Sequence, residues 1–366
     1  MSDRVPVNDL GRSGSLVEAR TRAAVNRVLE SGRYILGAEV DAFERDFAAY
    51  CGTAHCVGVA NGTDAIELAL RALGVGSGSR VATVANAGSY TTTALAALGA
   101  HAVFVDVDPG TMLMDPDHLK RVAGGGDLDA VVVTHLYGLL HDMGTVLDIA
   151  AGAGVPVLED CAQAHGARRD GRTAGSFGAA AAFSFYPTKN LGALGDAGAV
   201  VTGGAEVAER VRLLRQYGWQ ERYRAGVPGG RNSRLDEMQA AVLRARLPFL
   251  DGWNDRRREI AARYSREIRH PRLRCPAVCG EEFVAHLYVV ACEDREALRA
   301  HLAAASIGAD VHYPVPEHLQ PVREGLGGRP ALPVTEELAG AVLTLPCHPG
   351  LSDEEVTRVI SRVNSW

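Results

Sequence analysis

Apolar runs alternating with helical patterns predict an α/β protein: a mostly parallel, seven-stranded sheet in a large domain, then a smaller C-terminal α+β domain. Three observations carry this. Seven short apolar runs stand at 57–60, 81–84, 102–107, 130–134, 155–159, 180–185 and 198–202, with helical periodicity between them at 64–73, 91–99, 115–123 and 143–153. The composition then shifts from His270-Pro271 to Pro276. The chain has 366 residues, near the limit for a single core. The boundary is expected near 250–275, with the large domain over 1–250 and the small one over 251–366.

The elements follow in order. Over 14–30, Leu16, Val17, Ala24, Val25, Val28 and Leu29 recur at helical spacing, and a second helix over Glu39–Tyr50 is closed by Gly52. Strand and helix alternate from Cys56 to Thr202. Residues 205–217 and 234–268 read as helices, the second bent near Leu250–Gly252. Beyond the boundary come a strand at 284–291, a helix at 295–305, a strand at 309–313, a Pro-rich loop and a last helix at 352–364. Ser352 and Asp353 suit the start of that helix.

Composition excludes several classes. A 47% apolar and 22% charged chain is an ordinary globular protein, and a net charge of -6 argues against a nucleic-acid partner. The polar N-terminus has no signal-peptide pattern and no apolar run reaches membrane-spanning length, so neither membrane nor export is expected and the location is cytoplasmic. Seven cysteines, scattered among apolar neighbours, read as reduced and buried thiols. Cys51/Cys56 and Cys275/Cys279 lack the close spacing of zinc ligands, and no metal is expected at His55 beside Cys56.

The chemistry centres on Lys189. The chain holds 38 Lys+Arg, yet only Lys120 and Lys189 are lysine. Lys189 follows an apolar run and precedes Gly192, Gly195 and Gly198. Arginine can replace lysine as a surface charge but cannot deprotonate and form an imine. Around it stand three further features. In Val57–Leu73 a strand ends at Ala60, Asn61-Gly62 turns the chain and Thr63-Asp64 opens a helix. That helix start suits an anion, since its amides are unpaired and Gly62 permits close approach, although simple capping by Thr63 or Asp64 fits the same residues. In Val155–Ala167 a strand ends in Glu159-Asp160. Asp160 could hold a pyridinium N–H and Gln163 a phenolate oxygen, while Glu159 faces the other way by strand alternation. Ser184 offers a second phosphate donor. Tyr90 could stack on a ring, or be a half-buried core tyrosine. One cofactor, pyridoxal phosphate, would require such an order on successive crossings.

The chain resembles the DegT/DnrJ/EryC1/StrS family of sugar aminotransferases. The segments YILGAEVDAFE (34–44), VANGTDAIELAL (59–70), FVDVDP (104–109), HLYG (135–138), LEDCAQAHGA (158–167), SFYPTKNLGALGDAGAV (184–200), NSRLDEMQAAVL (232–243) and HYP (312–314) carry the resemblance. It implies the fold-type-I architecture of pyridoxal-phosphate-dependent transferases. It also implies that Lys189 is the Schiff-base lysine, Asp160 the partner of the pyridine nitrogen and Gln163 the ligand of the ring oxygen. Gly62, Thr63, Asp64 and Ser184 fall on the phosphate site, and Tyr90 is matched to the stacking position. Asn232 matches an asparagine that reaches the cofactor phosphate of a second subunit, implying a homodimer with shared sites. Tyr186, His312 and Tyr313 match positions near the sugar, although His312 alone, in a Pro-flanked loop, would read as structural. Arg234 could bind a donor carboxylate or a diphosphate, or form an interhelical ion pair.

Two departures stand out. The stacking loop reads ANAGSY, longer than the common form, and Ala197 replaces a common glycine. A dehydrating branch carries histidine in place of Lys189, which argues against that branch. The implied reaction moves an amino group from L-glutamate or L-glutamine to a nucleotide-linked keto sugar, most simply a dTDP-3-keto-6-deoxyhexose. A 4-keto hexose and an inosose are alternatives within that chemistry. A non-catalytic pyridoxal-phosphate-binding regulator is the alternative of another class, and Lys189, Tyr186 and His312 together argue against it.

Overall fold

Residues 4–12, 14–277, 280–323 and 330–366 are described by a computed structural model. Cys279, one of the expected free thiols, lies outside them. Seven strands form the main sheet: β1 (His55–Val59), β2 (Arg80–Val84), β3 (His101–Val105), β4 (Ala130–Thr134), β5 (Val157–Asp160), β6 (Ala180–Ser184) and β7 (Gly198–Thr202). Their order is β1-β7-β6-β5-β4-β2-β3. β7 runs antiparallel to both neighbours, and the other neighbouring pairs are parallel. The sheet is therefore α/β and mostly parallel.

Helices cover both faces, which is why the strands are apolar throughout rather than alternating. On one face Val132, Leu158, Ala182 and Val200 meet α3 (Gly62–Ala72), and Ala94 and Leu98 of α4 (Tyr90–Leu98) join the same cluster. On the other face Phe43 and Phe47 of α2 (Ala38–Cys51) stack at 5.4 Å and meet Phe183 and Phe185 edge-on. α1 (Ser15–Ser31) buries Val17, Thr21, Ala24 and Val28, with Ala24 and Val28 packed on Ala241 of the helix Glu237–Arg246. Leu16 and Leu29, read as part of its apolar face, stay exposed.

The C-terminal part carries an antiparallel sheet of β8 (Leu273–Arg274), β9 (Tyr288–Cys292) and β10 (Val342–Leu345), in keeping with an α+β unit, and departs from the sequence expectation beyond it. Residues 309–313 are not a strand. Only Asp310 bridges to Thr344, and Pro314 and Pro316 leave no N–H to continue a ladder. A helix at Pro333–Ala341 was not anticipated. Its first amides and the Thr335 hydroxyl donate to Asp106 across the chain, a long-range cap that sequence does not display. The long helix begins later than expected, at Glu237, and breaks at Leu247–Phe249, where Pro248 removes a donor, before the helix Leu250–Glu267. The last helix (Asp353–Asn364) opens on a reciprocal Ser352/Glu355 capping box. Among the described residues no helix is long and apolar enough to cross a membrane.

Behind the site, Glu159 is fully buried and accepts N–H bonds from Gly175 (2.9 Å), Phe177 (2.8 Å) and Gly178 (2.7 Å). His135 completes the set. Its Nδ1 accepts from the His141 amide, so Nε2–H donates to Glu159 at 3.0 Å. Burial works against the charge of Glu159, but these donors win and hold its pKa below the ordinary value. With Cys161 these residues form a compact His–Glu–Cys group, but the donated and accepted protons occupy both His135 nitrogens and leave no lone pair for a metal. Glu159→Ala strands three amides and an imidazole, and a loss of about 3–5 kcal/mol in urea unfolding is expected.

Candidate active site

The residues singled out in the sequence meet at the C-terminal edge of the parallel strands, around a cavity of about 610 Å³. Gly62, Thr63, Tyr90, Asp160, Gln163, Ser184, Tyr186, Lys189, His312 and Tyr313 all line it. Asp64, Asn232 and Arg234 do not line the cavity of their own chain. The Asp64 carboxylate pairs with Arg231 at 3.2 Å. Asn232 is exposed and bridges to Gln216, and the Arg234 guanidinium lies 5.8 Å from the centre of the Tyr217 ring.

Each wall has a local cause. α3 starts at Gly62 because the Asn61 side chain accepts from the Asp64 amide at 2.8 Å. Asn61, rather than Thr63 or Asp64, is thus the cap, and the first-turn amides of Gly62 and Thr63 stay at the open end of the helix dipole. A Cβ on Gly62 would come within 2.5 Å of the Ser184 Cβ, so the helix start and the end of β6 are in direct contact. A Cβ on Gly198 would lie 2.3 Å from the Asn61 carbonyl, which makes that glycine obligatory, whereas Ala197 is accommodated in the core.

Asp160 ends β5 opposite Glu159, as alternation requires. Its carboxylate accepts from Ala162 N–H (3.1 Å) and Thr134 Oγ1 (3.4 Å). Burial is the larger influence and raises its pKa, with Lys189 opposing. Gln163 is fixed at both ends of its amide: Oε1 accepts from Tyr137 N–H at 2.6 Å and Nε2 donates to the Tyr313 hydroxyl at 3.2 Å. One Nε2 hydrogen remains for a ligand. Tyr90 meets Tyr313 edge-on at 6.4 Å, and His312 Nδ1 lies 2.8 Å from Thr344 Oγ1.

Burial lowers the Lys189 pKa to about 8, against the raising pull of Asp160. A larger share of this amine is neutral, and nucleophilic, at ordinary pH than for a surface lysine. The rate at which cofactor-free protein captures pyridoxal phosphate should rise about tenfold per pH unit below 8 and level off above it. Stopped-flow absorbance across pH 6–10 checks this.

The donor set fits pyridoxal phosphate: open helix amides with the Ser184 hydroxyl for a dianion, a buried carboxylate for a ring N–H, and a depressed lysine for the aldehyde carbon. A model of the DegT/DnrJ/EryC1/StrS aminotransferase family matches residues 16–364. The chain belongs to that family. It is 45% identical over 366 residues to dTDP-3-amino-3,4,6-trideoxy-alpha-D-glucose transaminase of Streptomyces venezuelae, covering 99% of this chain and 96% of the relative. It is 44% identical to dTDP-3-amino-3,6-dideoxy-alpha-D-galactopyranose transaminase of Aneurinibacillus thermoaerophilus, over 99% of both chains. The crystal structure of S. venezuelae DesV in complex with a ketimine intermediate superposes with a TM-score of 0.95 at 45% identity, covering 100% of this chain and 99% of DesV. The protein is thus a pyridoxal-phosphate-dependent aminotransferase of the sugar-modifying family.

Several cavity residues escaped the sequence reading. Val7 and Asn8 enter from the N-terminus, Asn8 reaching the Thr188 carbonyl at 3.4 Å, and nothing local marks them. Asp196, His286, Asp310 and Thr344 also line the cavity. His286 had a signal, a histidine inside the apolar run FVAHLYVVAC. Six described cysteines are free, and all but Cys275 are buried.

Proposed function

We propose that this enzyme, a cytoplasmic homodimer, transfers an amino group from L-glutamate or L-glutamine to C3 of a dTDP-3-keto-6-deoxyhexose. The observation that carries the reading is Lys189, its pKa depressed by burial, on one cavity wall with the buried Asp160. Both relatives above are named for dTDP-linked 3-amino sugars lacking the 6-hydroxyl, which favours C3 over C4 and a nucleotide sugar over an inosose.

When bound, pyridoxal phosphate supplies an electron sink for the pair left on carbon by deprotonation. The protein supplies the rest. Lys189 Nζ, released by the incoming amine, is placed to take the proton from Cα of the donor and would hand it to the carbon on the other side of the donor's nitrogen. In the second half-reaction the same Nζ runs these transfers in reverse at C3 of the sugar. Asp160 would hold the ring N–H as an ion pair in a buried setting, where one charge is worth most. Gly62, Thr63 and Ser184 would anchor the phosphate, and Gln163 and Tyr90 would orient the ring. Tyr186, His312 and Tyr313 sit where they can meet the sugar.

Among the described residues, Lys189 is the one Lys or Arg side chain lining the cavity, and it is committed to chemistry. A sugar diphosphate needs further positive charge. Arg234 and Asn232, outside the cavity of their own chain, are suited to supply a second copy's site, which supports the shared-site dimer. The test is incubation with ¹⁵N-glutamate and a panel of keto sugars. Mass spectrometry should find ¹⁵N in a dTDP-3-amino-6-deoxyhexose. Label only in an inosamine or a 4-amino sugar would move the reading to that acceptor.

A further inference from the structure

We propose that the bare Nε2 of His286 accepts a hydrogen bond from a hydroxyl of the keto-sugar acceptor, fixing the sugar beside Lys189. The proposal rests on the sugar-aminotransferase reading above.

The tautomer follows from a buried chain of amides. Asn254 Nδ2 donates to the His165 carbonyl at 2.8 Å, so its Oδ1 is an acceptor. Asn190 Nδ2 donates to that Oδ1 at 2.9 Å and to the Val284 carbonyl at 3.1 Å. Asn190 Oδ1 therefore points at His286 and can only accept, and the 3.0 Å contact requires the proton on His286 Nδ1. Nε2 is left as a lone pair on a ring that lines the cavity. Burial, with Lys189 and Arg257 adding repulsion, keeps the ring neutral.

The backbone of His286 is held as firmly as the ring. Buried Arg257 donates from Nη1 to the carbonyls of Ala285 (3.2 Å), His286 (3.3 Å) and Cys347 (2.5 Å). Ala285 is left-handed at φ 43, a conformation that persists where its surroundings fix it. Asn190, Asn254 and Arg257 thus hold one acceptor atom at the cavity wall. The same cavity is lined by the hydroxyls of Ser184, Tyr186 and Tyr313 and the carboxylates of Asp196 and Asp310, polar groups suited to the other hydroxyls of a sugar. A sugar hydroxyl is the matching donor, and an analogue lacking it would leave the nitrogen unpaired.

The test uses holoenzyme carrying His286→Asn, which keeps a donor near Nδ1 and removes the acceptor, with His286→Phe as a second variant. Calorimetry gives Kd for a dTDP-3-amino-3,6-dideoxyhexose and for free dTDP, and stopped flow gives the glutamate half-reaction. Expected is a ten- to hundredfold weaker sugar-nucleotide Kd, by about the worth of one stranded hydrogen bond. Free dTDP affinity and the glutamate half-reaction should change by less than about threefold. Equal sugar-nucleotide affinity in wild type and variant overturns the proposal. Equal losses in the sugar affinity and the glutamate half-reaction also overturn it, and would assign His286 to Lys189 instead. Wild-type protein that runs the glutamate half-reaction yet binds no dTDP-sugar overturns the acceptor reading, and this proposal with it.

Discussion

Lys189→Ala is expected to lower transamination by at least about 10⁴-fold, since in the proposed mechanism one nitrogen would serve as cofactor anchor, proton acceptor and proton donor. The chain offers no substitute. Lys120, the other lysine, lies in α5 (Pro116–Ala123) and is exposed, away from the cavity. Lys189→Arg should fare no better, because a guanidinium does not give up its proton near neutral pH. Steady-state kinetics with glutamate and the keto sugar measure the loss. The variant should still fold, because Lys189 makes its backbone bond, N–H to the Tyr186 carbonyl, without its side chain.

Asp160→Ala is the second large effect, with turnover expected to fall about 10²–10³-fold while the protein still binds cofactor through the phosphate and Lys189. In the proposed mechanism the carboxylate would act on the ring nitrogen rather than on substrate, so the loss should fall on kcat in both half-reactions alike. Asp160→Asn, which keeps the shape but not the charge, should lose nearly as much. Parallel measurement of the two half-reactions separates this from an effect on sugar binding, which would appear in one half only. Removal of the charge should also lower the pKa of Lys189 further, since Asp160 is the group that raises it. The pH profile of cofactor capture would then shift to lower pH.

Much of this site was legible in the sequence because its parts sit on successive strand ends. A lysine kept in an arginine-rich chain, an Asn-Gly turn before a helix and an Asp closing an apolar run each have a local signature. Alternation along β5 separates Asp160, on the cavity, from Glu159, whose carboxylate meets the turn at 175–178 behind it. The cap lies upstream of the residues that fit it by type: Thr63 and Asp64 are good cappers, but the Asn61 side chain takes the role, and Thr63 lines the cavity. What stayed hidden depends on chain segments far apart. Asp106 caps a helix more than two hundred residues on, so Pro333–Ala341 looked like loop. Residues 309–313 have the apolar pattern of a strand, yet prolines end the ladder after one bridge. His286 lines the cavity because Asn190 and Arg257 aim it there, and neither is its neighbour in sequence.

The most direct test of the central claim is borohydride reduction of the holoenzyme followed by peptide mass mapping. With two lysines in the chain the result is nearly binary. The expected result is one pyridoxyl group per chain on the peptide carrying Lys189, with Lys120 unmodified. Pyridoxyl on Lys120, or none on any lysine of protein saturated with cofactor, would contradict the account.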